Sequence, residues 1–251
     1  MIFKVKDEKK SILDLRKKFK DCNKPGVSMI VSTNKIKYIK NIFTNYLRCN
    51  YANKELIIIL NNNKLNIDDY NKEAEKYKNI RVYQLDEDIS LGYCMNYGVE
   101  VSKYNYLAKI DDDDYYGENY ILDAVNTFRY TDADVIGKAS YFVYYEKYNS
   151  IGIMNANYND KYTPYIAGST FVIKRKVFEK VKFRDMSLSE DSYFISDCVK
   201  ANINVYSGHR YNYVYIRHRE LSDHTWKIET RSLYNITKKI NCNNNLSIVK
   251  V

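Results

Sequence analysis

Four consecutive carboxylates, Asp111 to Asp114, stand directly after the apolar run Tyr104 to Ile110 (YNYLAKI). Neighbouring negative charges repel, and the arrangement becomes favourable when a divalent cation sits among them. Oxygen-only ligands select Mg²⁺ or Mn²⁺, which take one or two protein carboxylates and draw other ligands from substrate phosphates. An EF-hand register begun at Asp112 would suit Asp114 and Gly117. It fails because Tyr116 stands where Asp or Asn is needed and because a strand, not a helix, precedes it. A solvated acidic turn without a ligand is the competing reading.

A second acidic site lies in Ser187-Leu188-Ser189-Glu190-Asp191, at the predicted start of a helix. Ser187-x-x-Glu190 has the form of a capping box, which accounts for Glu190. Asp191 is left over, and a carboxylate at a helix start beside a cleft can act as a general base.

These residues need a scaffold, and the hydrophobic pattern supplies one. Predicted strands over 27–32, 55–60, 80–85 and 104–110 alternate with predicted helices over 36–49, 90–102 and 120–129. Such alternation implies right-handed βαβ units and a largely parallel sheet covered on both faces. Ligands then bind outside the carboxyl ends of the strands, where Asp111 to Asp114 fall. The second half is less regular, with strands over 134–145, 170–173 and 211–217 and helices over 175–181 and 190–201. No repeat, low-complexity tract or linker divides the chain, so one α/β domain with a mixed sheet is expected.

The 251 residues carry 40 Lys+Arg against 31 Asp+Glu, a net charge of +9. The whole surplus lies at the two ends, in residues 1–20 and 227–251, and the middle is neutral. The expected organisation is therefore a basic N-terminal helical segment over 1–26, a domain over 27–228 and a basic tail over 229–251. A neutral body without a reading motif argues against nucleic acid as partner. The basic ends suggest peripheral docking to an anionic surface, against the plainer reading of a solvated helix lying on the domain. The longest aliphatic run, Leu56 to Leu60, is far short of a membrane span, and no apolar signal core follows Met1. Cys22, Cys49, Cys94, Cys198 and Cys242 form no C-x-x-C pair, so no disulfide framework or zinc site is expected and a cytoplasmic location fits.

The ordered blocks VSMIVSTNK, ELIIILNNN, SLGYCMNYGV, YNYLAKIDDDDYYGENYI, AGSTFVIKR and SEDSYFISDCVKANINVY resemble the inverting family-2 glycosyltransferases of the GT-A fold. The likeness covers roughly residues 27 to 228, and ILNN, AKIDDDDYYG and HTWK are similar to the CgeD-like group associated with spore maturation.

That resemblance implies a metal-dependent enzyme moving a sugar from a nucleoside diphosphate sugar to a carbohydrate or surface-polymer acceptor. It places Ser32, Thr33, Asn34 and Lys35 along the nucleotide. Asn61 stands where the family has a base-reading carboxylate, and an amide offers both donor and acceptor. Asp113 is the implied metal ligand, with Asp111 or Asp112 on the ribose or a metal-bound water and Asp114 orienting the turn. Asp191 corresponds to the base of a direct displacement with inversion. His224, in HTWK, is preferred over His218 as a histidine ligand. Gly168 and Glu190 fall on the acceptor side. Two other functions compete. A nucleotidyltransferase would want a Gly-rich phosphate loop, which Ser32 to Lys35 lacks. A non-catalytic transferase-like module is favoured only by Asn61.

Overall fold

The computed structural model describes residues 2–240 and 246–251, so Cys242 lies outside the described residues. Helix α1 (Ile2–Lys18) is followed by β1 (Val27–Thr33), α2 (Ile39–Arg48), β2 (Lys54–Asn61), α3 (Ile67–Ala74), β3 (Ile80–Leu85), α4 (Leu91–Val101) and β4 (Tyr106–Lys109). Next come β5 (Tyr115–Tyr116), α5 (Tyr120–Thr127), β6 (Val135–Gly137), β7 (Tyr141–Tyr145), β8 (Ser150–Met154), β9 (Lys161–Tyr162) and β10 (Val172–Lys174). The chain continues through α6 (Glu190–Lys200), β11 (Val205–Ser207), β12 (Tyr213–Arg217), α7 (Thr230–Ile236) and β13 (Lys238–Ile240).

The larger sheet has the order β3-β2-β1-β4-β10-β6-β11-β9. Its first four strands are parallel, and β10 runs antiparallel between β4 and β6. Side chains alternate faces along β1 and β2. Met29, Val31, Leu56, Ile58 and Leu60 pack with α2, α3 and α5, whereas Ile30, Ile57 and Ile59 pack with α4 and α6. Burial on both faces explains why β2 reads as an unbroken aliphatic run.

Register then aligns the strand ends. Val27 pairs with Tyr106 and Ile30 with Lys109, so Thr33 at the end of β1 comes level with the acidic turn beyond β4. Val31 pairs with Ile58 and Thr33 with Leu60, which sets Asn61 beside them.

A second sheet has the order β13-β8-β7-β12-β5. Because β4 belongs to the first sheet and β5 to the second, the acidic turn is the bridge between them. Predicted strand 134–145 is instead two strands in different sheets, β6 and β7, separated by the buried corner Lys138 to Ser140. The corner forms because Thr170 Oγ1 accepts from the Lys138 amide and Ser207 Oγ from the Ala139 amide, diverting the ladder. Predicted helix 175–181 is a 3-10 segment, Arg175–Glu179.

Both chain ends pack on the second sheet, where Ile12 and Val249 are buried with Phe142, Ile151, Tyr211 and Val214. Arg16 holds Asp123 through two bonds of 2.6 and 2.8 Å, and Glu8 meets Arg210 at 3.0 Å and the Tyr211 hydroxyl at 2.8 Å. The opposite side of the segment presents Lys6, Lys10, Leu13, Lys17 and Lys20, all exposed.

Candidate active site

The carboxyl ends of β1, β2 and β4 open on a cleft of about 580 Å³. Its walls include Ser32, Thr33, Asn34, Lys35, Asn61, Asp111, Asp112, Asp113, Gly168, Glu190, Asp191 and His224, and thus gather the site residues singled out in the sequence.

The acidic turn divides its four carboxylates among different tasks. Asp114 is fully buried and accepts from the Tyr213 hydroxyl at 2.6 Å and the Ile216 amide at 2.9 Å, so it fastens the turn to β12. Asn41 and Asn45 fix the backbone from α2, donating to the Asp112 and Asp114 carbonyls. Asp111 accepts from Lys109 Nζ at 2.6 Å. Asp112 accepts from Thr33 Oγ1 at 2.5 Å, as the register of β1 and β4 requires. Burial, with the neighbouring carboxylates adding to it, pushes Asp112 up to about 6 and Asp113 to about 7.

The histidine beside it is His218, not His224. His218 Nε2 lies 3.8 Å from Asp113 Oδ2, is buried and has no hydrogen-bond partner, while Nδ1 lies 3.0 Å from Glu146 Oε1. His224 turns away: its Nδ1 is 3.3 Å from the Tyr215 hydroxyl and its Nε2 3.5 Å from the His218 carbonyl. Burial and the nearby Arg217 charge lower His224 to about 4. Its ring stacks on His218, with centroids 5.5 Å apart. Among the described residues no three His, Cys, Asp or Glu side chains form a ready metal cage. The Asp113 carboxylate and the orphaned His218 nitrogen nevertheless fit a cation that takes its remaining ligands from phosphates.

At the end of β2, Asn61 uses both amide hydrogens on the protein, donating to the carbonyls of Asp86 at 2.8 Å and Ile89 at 3.0 Å. Only its Oδ1 is left, so it presents an acceptor rather than a donor and an acceptor. Lys35 Nζ donates to the Asp223 carbonyl at 2.6 Å, and Lys37 pairs with the Asp223 carboxylate at 2.5 Å. Fully buried Arg217 grips the carbonyls of Trp226 and Ile228. These bonds fold residues 221–228 over the cleft, and Trp226 stands on its wall, 48% exposed.

Across the cleft, the capping box expected at Ser187-x-x-Glu190 does not form. Ser189 is the N-cap, in a left-handed conformation with φ 64°, and makes no side-chain cap bond. Ser187 Oγ accepts instead from the Leu91 amide at 3.2 Å, docking the loop on the start of α4. Glu190 is buried, and burial raises it to about 7 against the lowering effect of Lys109. Asp191 is half-buried, and its Oδ1 accepts from the Ser192 amide at 2.6 Å. Gly168 leaves it room, since a Cβ there would lie 1.9 Å from Asp191 Oδ2.

Sequence reasoning missed Lys109, a lone lysine in a buried strand whose signal was its incongruity; the histidine it preferred, His224, lines the cleft, while His218 stands 3.8 Å from Asp113. It also missed the Asn41 and Asn45 anchors, which nothing in their local pattern distinguishes from solvent-facing helix positions.

The comparison with curated proteins yields no match. Solved structures give the fold. TarS residues 1–349 from S. aureus, in complex with UDP-GlcNAc, aligns with a TM-score of 0.66 at 16% identity over 84% of this chain and 64% of that one. A second structure of TarS 1–349 gives 0.63 at 17% identity over 76% and 60%. A longer TarS structure gives 0.62 at 18% over 76% and 36%, so the chain spans between about a third and just under two thirds of these structures. The shared architecture is GT-A, a mixed, parallel-rich sheet flanked by helices. The model described as Glycosyl transferase family 2 matches residues 29–182, from β1 through the acidic turn and β10. With that match spanning more than half its length, the chain belongs to glycosyl transferase family 2.

Proposed function

We propose that the protein is a metal-dependent, inverting glycosyltransferase that moves a sugar from a nucleoside diphosphate sugar to a carbohydrate or a cell- or spore-surface acceptor. One observation carries this reading: a single cleft holds the acidic turn on one side and Asp191, fitted against Gly168, on the other, and His218 lies behind the turn at 3.8 Å from Asp113.

The donor lies along Ser32 to Lys35. Asn61 Oδ1 accepts from an imide N–H such as that of uracil, which favours a uridine nucleotide. The UDP-GlcNAc in the TarS complex is consistent with this choice. Asp113 and His218 would hold Mn²⁺ or Mg²⁺, with Glu146 orienting the imidazole. Such a cation, when bound, neutralises the diphosphate as its bond to the sugar breaks. Asp191 takes the proton from the acceptor hydroxyl while that oxygen bonds to the anomeric carbon from the face opposite the leaving diphosphate. Retention would require a carboxylate nucleophile as well, and Glu190 is buried beside Lys109.

The likeness of ILNN, AKIDDDDYYG and HTWK to the CgeD-like group supports a spore- or cell-surface acceptor. Among the described residues no helix is long and apolar enough to cross a membrane. We place the enzyme in the cytoplasm, with the exposed lysines of the first segment docking it on an anionic surface. Replacing Lys6, Lys10, Lys17 and Lys20 by Gln should then abolish sedimentation with anionic vesicles and leave turnover unchanged; unchanged sedimentation would refute the docking.

The test of the enzymatic reading is release of nucleoside diphosphate from a donor panel with Mn²⁺. Asp113→Ala and Asp191→Asn should each abolish it, and full turnover in both would refute the assigned roles.

A further inference from the structure

The floor of the cleft holds a charge that the reaction above does not use. Lys109 ends β4, lines the cleft and is only 6% exposed. Burying an ammonium is costly, and an apolar side chain would serve a core position better. Burial works against the charge, yet Asp111, then Glu190 and Asp191, hold Lys109 above the ordinary lysine range. Nζ donates to Asp111 Oδ1 at 2.6 Å, so the ammonium is bonded to the acidic turn, and it lines the same cleft as Glu190 and Asp191 at the α6 start. Among the described residues no other lysine or arginine forms an ion pair with Asp111, Glu190 or Asp191.

We propose that Lys109 is a positioning residue for the transfer, a fixed internal cation that holds the acidic turn and sets the electrostatic conditions of the cleft in which the base works. This rests on Asp191 being that base. Removing the cation takes the ion-pair partner from half-exposed Asp111 and the buried positive charge from the cleft that also holds buried Glu190.

The experiment measures kcat and donor KM between pH 5 and 9 for the wild type, Lys109→Met, Lys109→Ala and Asp191→Asn, with circular dichroism to verify folding. Lys109→Met should lose about 100-fold in kcat with a donor KM within about threefold of wild type, as expected when reacting groups are misplaced. Its acid limb should move up by about one pH unit, because the cleft loses its buried positive charge. Added ethylammonium should restore turnover to Lys109→Ala in a saturable way, which a packing defect would not allow. A wild-type kcat and pH profile in Lys109→Met, with Asp191→Asn dead, would overturn the proposal alone. So would a folded Lys109→Ala that ethylammonium does not rescue. Full turnover in Asp191→Asn would overturn the base assignment and the proposal with it.

Discussion

Gly168 and Asp191 occupy one space: the carboxylate fills the volume a side chain at Gly168 would take, with Oδ2 1.9 Å from the ideal Cβ position. The backbone at Gly168 has no positive φ, so the requirement there is room and not conformation. Gly168→Ala should therefore fold, push Asp191 off its position and lower kcat by about 10- to 100-fold. Turnover measured beside a thermal melt checks this, and an alanine variant with wild-type kcat would mean the carboxylate has freedom to spare.

The two histidines should separate cleanly by metal affinity. His218→Ala should weaken Mn²⁺ binding in the presence of UDP by about tenfold or more, and Glu146→Gln by a similar factor through the imidazole it orients. His224→Ala should leave Mn²⁺ affinity within about threefold, because both its ring nitrogens face other groups. Isothermal calorimetry on the three variants decides the matter.

Asn61→Asp, although it restores the carboxylate usual in such enzymes, should be harmful here. It would set an oxygen against the Asp86 and Ile89 carbonyls that now receive the amide hydrogens. A loss of about 1–3 kcal/mol in stability is expected from the unmet contacts, read by urea unfolding, together with weaker UDP binding.

Asp123 gives a pH dependence with a definite sign. Burial opposes its ionisation, but hydrogen bonding to Arg16 and the adjacent His209 hold it at about 2, below the ordinary aspartate range. A folded-state value below the unfolded one contributes stability above the unfolded value that is lost as pH falls from about 4 through about 2. The amount is on the order of 2 kcal/mol. Denaturation at pH 5, 3 and 2 should show this loss in the wild type and not in Asp123→Asn, whose stability at pH 5 should already be lower.

The doubly covered sheet was legible because β2 buries both faces and so carries an unbroken aliphatic run, with the apolar-rich β1 before it. The site was legible where chemistry is local: Asp111 to Asp114 are contiguous, and Asp191 is the carboxylate at a helix start that capping leaves over. What stayed hidden depends on distant partners. His218 reaches Asp113 only through the pairing of β12 with β5, and the corner at Lys138 depends on hydroxyls from Thr170 and Ser207. Helix α3 was overlooked because only Tyr70 and Ala74 of its residues are buried, too few to make a periodic stripe. The capping box misled because its residues are right and the cap is one the tertiary contact with Leu91 overrides.

Trp226 is the chain's single tryptophan, and it stands half exposed on the wall of the cleft, on the segment that Lys35, Lys37 and Arg217 tie down. The protein thus carries its own optical reporter. Indole emission comes from one known place, shifts as water leaves that place, and follows occupancy of the cleft in real time with no label, no coupled assay and no knowledge of the acceptor.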